Sequence, residues 1–482
     1  MKKTTFRISA PLFEQLHRHL FPGDGDEHGA LILAGIAATP SETRFLAREI
    51  VIARDGVDFV PGKFGYRALP ADFVARWSNH CAREHLCYFN VHCHGGRDSV
   101  GFSETDLQSH RRGYPALLDI TSGGPIGALV FAANAVAGEI WTPAGTSDLD
   151  CMTVVGLNSR RLYPEPPSLP GLCDDMYHRQ SLMFGDVGQH HLANAKVGII
   201  GLGGVGALVN EHLARLGVGE IVAVDFDRME RSNHSRVVGS RIADCCDWLR
   251  HSRYKWLRQF GERHATYKVK VAERVAREAN SRVRFRGIVG DITDLVTARE
   301  LRDVDFLFLC ADSMQSRLVF NALVHQYLIP GVQIGSKVPV DKRSGDLGNV
   351  FSVARLILPS PGDGCLLCNE LIPAEKLREE ALSQEERRRQ RYVDDDDVTA
   401  PSVITLNALG AAQATNDFLF HFLGLFDPAQ AKSGYLMHYS RERIWRQTEC
   451  RTEAGCLHCG TTLRALFARG DRSSLPCKMP AA

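Results

Sequence analysis

Residues 196–236 read KVGIIGLGGVGALVNEHLARLGVGEIVAVDFDRMERSNHSR, and no other stretch constrains the fold as much. Lys196–Ile200 is a short, mostly apolar run leading into glycine, the pattern of a buried parallel strand. Gly201-Leu202-Gly203-Gly204-Val205-Gly206 follows, then a helical pattern to Leu216 with apolar residues at Leu208, Leu213 and Leu216. A second strand, Glu220–Val224, ends at Asp225. Together these make a strand–turn–helix–strand unit. Glycines in its turn let the backbone approach a phosphate, and the helix N-terminus offers unpaired N–H groups and a partial positive charge. The acid that ends the second strand is placed to bind a ribose. The plain alternative is a tight turn that only packs.

The neighbouring residues select the nucleotide. A hydride-transfer enzyme needs one acid here and then a nicotinamide pocket. This chain has Asp225-Phe226-Asp227 and then Ser232-Asn233-His234-Ser235-Arg236. Two carboxylates and an Asn/Arg pair beside a phosphate turn suit ATP with Mg²⁺ better than NAD. An NAD-dependent oxidoreductase with an accessory zinc domain is therefore the disfavoured reading.

At this point the chain resembles the superfamily of ubiquitin-activating enzymes and their bacterial relatives ThiF and MoeB. The family pattern is an Arg-Gln pair, a Gly-rich turn, Asp-x-Asp, Asn-x-x-Arg, a Lys and a later Asp. Here it reads Arg179-Gln180, the turn with Gly201, Gly203, Gly204 and Gly206, Asp225/Asp227, Asn233/Arg236, Lys270 and Asp312, across about residues 175–460. The resemblance implies that Lys270, rather than its neighbour Lys268, contacts the ATP phosphates and that Asp312, at the end of the strand Val304–Ala311, binds magnesium. It also implies that Arg179 reaches across a homodimer interface to the partner's ATP. A carboxylate attacking the α-phosphate must overcome like-charge repulsion, which Mg²⁺, Lys and Arg offset.

Composition excludes several classes. The 482 residues suffice for two or three domains, and a net charge of +1 points to neither nucleic acid nor membrane as partner. Met1–Leu20 mixes polarity and does not read as a signal peptide, and no apolar run reaches membrane-spanning length, so a cytoplasmic protein is expected. The chain has 14 cysteines, and two C-x-x-C pairs among them fit a reducing compartment and metal binding better than a disulfide framework. Those pairs are Cys365/Cys368 and Cys456/Cys459; four thiolates with no open position make a structural zinc site. They resemble the tetracysteine site of the same superfamily.

The N-terminal third reads as α/β without a nucleotide turn. A helix is expected over Pro11–Leu20, strands over Leu31–Ala38, Phe45–Ala53 and Cys87–Val91, a helix over Ala71–Arg83, and further strands within Ile126–Ile140. His92 and His94, at alternate strand positions, share one face, and Asp106 follows Ser103 at an expected helix start. Two imidazoles and a carboxylate leave a fourth zinc position open for water, the catalytic arrangement. Glu27, just before the neighbouring strand, is placed to take that water's proton. This set resembles the JAB/JAMM metalloproteases, Glu…His-x-His…Ser-x-x-Asp. The resemblance implies zinc ligands His92, His94 and Asp106, general base Glu27 and an oxyanion-stabilising Ser103. The plain alternative is two solvent-facing histidines and a helix-capping serine.

Pro164–Gly171 is proline-rich and marks the domain boundary. The expected architecture is α/β: a JAB/JAMM-like domain over 1–150, a linker over 151–174, a Rossmann-like, mainly parallel-sheet adenylation domain over 175–460, and a flexible tail over 461–482. Trp248–Phe260 is basic and aromatic and reads as an added helix, expected to pack, with partner contact as the alternative. The family's thioester cysteine follows the first C-x-x-C, yet Asn369–Glu449 contains none. The cysteines left over are Cys81, Cys87, Cys93, Cys151, Cys173, Cys245, Cys246, Cys310, Cys450 and Cys477, with Cys245, Cys246 and Cys477 the weak candidates. Two activities on one pathway are thus implied: adenylation of the C-terminal carboxylate of a ubiquitin-like protein ending in glycine, and zinc-dependent hydrolysis next to that same terminus. The adenylate would pass to the cysteine of a conjugating-enzyme-like partner. The alternatives are activation of a sulfur carrier for cofactor synthesis and an inactive scaffold that only binds the modifier.

Overall fold

A computed structural model describes residues 2–478 apart from 55–56, 59, 62–66, 169–173, 342–343, 362 and 382–400. The acidic run Asp394–Asp397, the charged run Glu385–Arg391 and Cys173 lie outside the described residues. The described strands are β1 (Lys3–Ser9), β2 (Gly29–Ala38), β3 (Glu42–Ile52), β4 (Val60–Pro61), β5 (Arg67–Ala68), β6 (Cys87–Cys93), β7 (Ile126–Phe131), β8 (Val136–Thr142), β9 (Gly145–Asp148), β10 (Cys151–Val155), β11 (Arg160–Leu162), β12 (Lys196–Ile200), β13 (Glu220–Val224), β14 (Arg284–Ile288), β15 (Phe306–Leu309), β16 (Gly331–Lys337), β17 (Phe351–Ile357), β18 (Gly434–Tyr439) and β19 (Ile444–Thr448). The helices are α1 (Ala10–Leu20), α2 (Ala71–Glu84), α3 (Glu104–Ile120), α4 (His178–Asn194), α5 (Gly204–Leu216), α6 (Arg231–His234), α7 (Asp247–Arg250), α8 (Lys255–His264), α9 (Lys268–Ala279), α10 (Leu295–Arg299), α11 (Met314–Gln326), α12 (Ala374–Ala381) and α13 (Ile404–Leu423).

Two large sheets organise the chain. The first runs β11-β10-β1-β3-β2-β6-β7-β8-β9 and the second β14-β13-β12-β15-β16-β17-β18-β19. In the second, β14, β13, β12, β15 and β16 are parallel, and β17 to β19 continue it antiparallel. The central strands β12, β13 and β15 are nearly continuous, buried apolar runs because helices cover both faces. Phe306 and Phe308 from β15 meet Phe418 of α13 at centroid distances of 5.1 and 5.9 Å, and all three are fully buried. Each such side chain contributes roughly 1.5–3 kcal/mol of burial.

The turn after β12 is as tight as its glycines suggest. Gly201 has φ +89°, and a Cβ on Gly206 would lie 1.9 Å from the Gly201 carbonyl oxygen. No other residue type lets α5 start this close to the strand end.

Three expectations are corrected. β10 and β11 join the first sheet, with Thr5 paired to Cys151, so the boundary expected at residue 150 falls inside that sheet. The tail expected to be flexible packs between the two halves: Phe467 and Ala468 are fully buried, the Gly470 N–H donates to Gln326 O, and the Asp471 N–H donates to Ile36 O. A continuous helix over Trp248–Phe260 does not form; α7 and α8 stand there, with Trp248 77% and Trp256 65% exposed. α7 and α8 lie against each other at Gly261 and Leu249, and Trp248, Trp256 and Phe260 are left exposed rather than packed.

Buried arginines bind the halves together. Arg7 donates to Leu328 O and to Asp305 Oδ1, both at 3.0 Å, and Arg44 donates to the carbonyls of Arg302, Asp303 and Val304. Arg48 donates to Thr462 O at 2.7 Å and to Phe467 O. Burial lowers the Arg7 guanidinium to about 10, with the Arg44 charge adding to the effect, so it is still charged at neutral pH.

Candidate functional site

Two groups of polar side chains converge, one in each half. The first follows from strand register. Gly29 of β2 pairs antiparallel with His92 of β6, so extending the ladder by two residues sets Glu27 opposite His94. The observed Glu27 Oε1 to His94 Nε2 distance is 3.9 Å. His92 and His94 present their Nε2 atoms 3.2 Å apart, and Asp106 Oδ2 lies 3.6 Å from one and 3.4 Å from the other. A zinc ion about 2.0–2.1 Å from each of three tetrahedral ligands would space them about 3.3–3.4 Å apart, so the group fits that ion. His94 Nδ1 faces Gly101 O at 3.1 Å, which orients the ring.

Ser103 caps α3. Its hydroxyl donates to Asp106 Oδ2 at 2.7 Å and accepts the Asp106 N–H at 3.2 Å. The role expected from resemblance, an oxyanion donor, is therefore not the one this geometry displays: the hydroxyl hydrogen is engaged in orienting Asp106. Behind the group, His110 Nδ1 contacts Glu139 Oε2 at 2.7 Å and its ring stacks on Tyr114. The sequence reading had no means to pair residues so distant in the chain.

The second group lines a pocket of about 500 Å³ at the carboxyl ends of β12, β13 and β15. Gly201, Gly203 and Gly204 form one wall. Asp225 Oδ2 accepts the Leu202 N–H at 2.7 Å, so this acid pins the glycine turn; burial pushes its carboxyl up. Asp227, Arg236, Asp312 and Ser313 also line the pocket. Glu230 caps α6, and the buried Asn233, three residues on, accepts the Glu230 N–H in return; Arg236 follows just after the helix.

The lysine assignment is corrected. Lys268 lines the pocket, with Nζ 2.6 Å from Asp227 Oδ2, whereas Lys270 is exposed and pairs with Glu273 at 2.9 Å. α9 begins at Lys268, and two residues along a helix rotate a side chain by about 200°. Arg317, Ser336 and Asn407 are pocket residues that sequence reasoning missed. Burial lowers the Arg317 guanidinium's pKa, while Asp312 works the other way. Asn407 accepts from Ser336 Oγ at 3.0 Å and donates to Ser402 Oγ at 3.1 Å. An asparagine inside the apolar helix α13 was the available signal. Ser313, next to Asp312, caps α11 by accepting the Ser316 N–H. Arg179 is exposed on α4 and lies outside the pocket of its own chain, while Gln180 donates to Leu216 O at 2.9 Å.

The four cysteines of the C-x-x-C pairs converge, with Sγ–Sγ distances of 3.6 Å for Cys365–Cys368 and Cys365–Cys456 and 3.5 Å for Cys368–Cys459. Zn–S bonds of about 2.3 Å would space tetrahedral sulfurs about 3.8 Å apart, so the cluster is compatible with zinc. Asn321 of α11 joins both knuckles, accepting the Leu366 N–H at 3.0 Å and facing His458 Nδ1 at 2.9 Å. Of the weak thioester candidates, Cys245 is buried and Cys477 is half-buried, its thiol pushed up by burial to about 11. Cys246 is partly exposed.

The sequence model of the ThiF family matches residues 177–456. The sulfur carrier protein ThiS adenylyltransferase of Bacillus subtilis (strain 168) is 30% identical over 165 residues, 33% of this chain and 44% of that protein. The SAMP-activating enzyme E1 of Haloferax volcanii is 46% identical over 66 residues, 13% of this chain and 24% of that protein. The chain thus spans less than half the length of these curated relatives. Among solved structures, E. coli MccB with ATP superposes at a TM-score of 0.43 and 21% identity, covering 61% of this chain and 77% of that chain.

Proposed function

The chain belongs to the ThiF family, and from that premise we propose that its C-terminal half adenylates the terminal carboxylate of a ubiquitin-like protein. One observation carries the reading. Lys268, Arg236 and Arg317 line the same pocket as Asp227 and Asp312, beneath the glycine turn. Three cations beside two carboxylates are what ATP with a divalent ion requires. The glycine turn and the α5 N-terminus take phosphate oxygens. Asp227 and Asp312 would hold magnesium, which when bound neutralises charge on the phosphates. The incoming carboxylate oxygen forms a bond to the α-phosphorus, and the bond to the bridging oxygen breaks to release pyrophosphate. Lys268, Arg236 and Arg317 offset the charge that accumulates as it leaves.

Arg179 is exposed on a helix that also exposes Leu182 and Met183, which supports a homodimer in which Arg179 serves the partner's pocket. The acyl-adenylate passes to the cysteine of a conjugating-enzyme-like partner, in line with the burial of Cys245 and the half-burial of Cys477, whose thiol burial pushes up.

The first half acts as a zinc-dependent peptidase or isopeptidase on the same modifier. The convergence of His92, His94 and Asp106, with Glu27 at 3.9 Å, favours this second activity. Those three residues would hold the ion, which when bound supplies an acidified water. Glu27 takes the water's proton and returns it to the leaving amine.

The test is ATP–pyrophosphate exchange with ubiquitin-like and sulfur-carrier proteins ending in glycine, wild type against Asp312→Asn. Exchange that depends on both the carrier and Asp312 is expected, and the carrier that works separates the modifier from the sulfur-carrier alternative. ATP binding without exchange for any carrier would overturn the activity in favour of a binding scaffold.

A further inference from the structure

Where the two halves meet, a cleft of about 530 Å³ opens that no step above uses. Arg161, at β11, points its guanidinium into this cleft with Cζ 4.3 Å over the ring of Phe422, at the end of α13. Its Nη1 lies 3.5 Å from Phe422 O, and no carboxylate pairs with it among the described residues. His191 of α4 also lines the cleft, and burial, with the Arg161 charge adding to it, lowers that imidazole to about 4. Arg161 is therefore the full positive charge on this wall, held in place by a ring and a carbonyl. A half-buried, unpaired guanidinium stacked on an aromatic ring is preorganised for a carboxylate.

The cleft lining also carries a negative charge. Asp98 accepts from Asn134 Nδ2 at 2.9 Å and lies 4.0 Å from Arg97. Its loop is fixed by the Asn134 N–H, which donates to Arg97 O at 2.7 Å. Asp98 is four residues after His94, a chain reach of at most about 14 Å. The ATP pocket is farther: Asn407 lines that pocket and Phe422 this cleft, which separates them by about 22 Å along α13. Through Asp98 the cleft is thus tied to the loop that follows His94, nearer the His92–His94–Asp106 group than the ATP pocket.

We propose that this cleft binds a short zwitterionic peptide, the fragment on the leaving side of the bond cut in the first half. Its carboxylate pairs with Arg161 and its ammonium with Asp98. The inference rests on the peptidase reading of that half. Hydrolysis breaks the C–N bond, places the water's oxygen on the acyl carbon and delivers a proton to the nitrogen. The fragment so released carries a new ammonium at the cut and its original carboxylate at the far end. A cleft of this volume takes a drug-sized ligand, a few residues and not a folded protein. The first half therefore trims a short carboxy-terminal extension from the modifier precursor.

The probe is the tripeptide Gly-Ala-Leu, its carboxy-terminal amide and its N-acetyl form, titrated calorimetrically into the full-length protein. The free tripeptide should bind at least tenfold more tightly than either blocked form. Arg161→Ala should remove the preference for the free carboxylate, and Asp98→Asn, an exposed substitution, should remove the preference for the free amine. Equal affinity for all three peptides, or loss of binding in neither variant, overturns the proposal. So does displacement of the tripeptide by inorganic phosphate at equal concentration. A precursor extended by Gly-Ala-Leu separates this from the peptidase reading. If Glu27→Gln abolishes cleavage but Arg161→Ala leaves KM unchanged, the peptidase stands and the cleft assignment falls. If no extended precursor is cleaved while the tripeptide still binds through Arg161 and Asp98, the cleft stands and the peptidase falls.

Discussion

Lys268 Nζ lies 2.6 Å from Asp227 Oδ2 across the mouth of the glycine-walled pocket, while Lys270, two residues on, faces solvent. Of the two, Lys268 lines the pocket proposed for the phosphates and Lys270 does not. Lys268→Ala should lower ATP–pyrophosphate exchange by about 100-fold, the usual cost of removing one preorganised charge donor. Lys270→Ala should stay within about twofold, since an exposed pair with Glu273 contributes little. The reverse order would show that α9 is out of phase.

Metal content tests the tetracysteine cluster. Wild-type protein should carry about two zinc ions per chain by mass spectrometric metal analysis, and Cys365→Ser about one. Asn321→Ala leaves the buried Leu366 N–H unpaired, which should cost about 1–3 kcal/mol in denaturant unfolding. A Cys365→Ser protein that keeps both ions would remove the structural site.

Glu27 sits outside both proposed metal groups. Glu27→Gln should therefore abolish hydrolysis of a modifier precursor while zinc content and pyrophosphate exchange stay at wild-type levels. Loss of exchange as well would mean that the halves cannot act separately, as the buried Arg7 and Arg44 contacts allow.

Asp417 lies buried on α13, with the Gln413 amide as donor at 2.9 Å, and burial pushes its carboxyl up to about 6. The native state holds this proton more tightly than the unfolded chain, so the contribution to stability is complete below about pH 4 and is lost as pH rises through about 6. Asp417→Asn should therefore raise stability at pH 8 by about 2 kcal/mol and change it little at pH 4. Urea midpoints at the two pH values decide it; equal shifts at both would mean that the carboxyl is hydrated.

What the sequence determined by itself was local. The glycine turn, the His92-x-His94 alternation and the two C-x-x-C pairs each place their chemistry within a few residues, where strand period and turn geometry leave little choice. The tertiary structure decided what depends on phase or on distant partners. The choice of Lys268 over Lys270 follows from where α9 starts, a boundary that periodicity leaves open by a residue or two. Ser103 bonds Asp106 because α3 begins between them. The tail from Phe467 to Asp471 folds in because Arg48, Ile36 and Gln326, drawn from both halves, offer its backbone groups their partners. Arg161 meets Phe422, 261 residues away in the chain, and no local pattern in either segment encodes that contact.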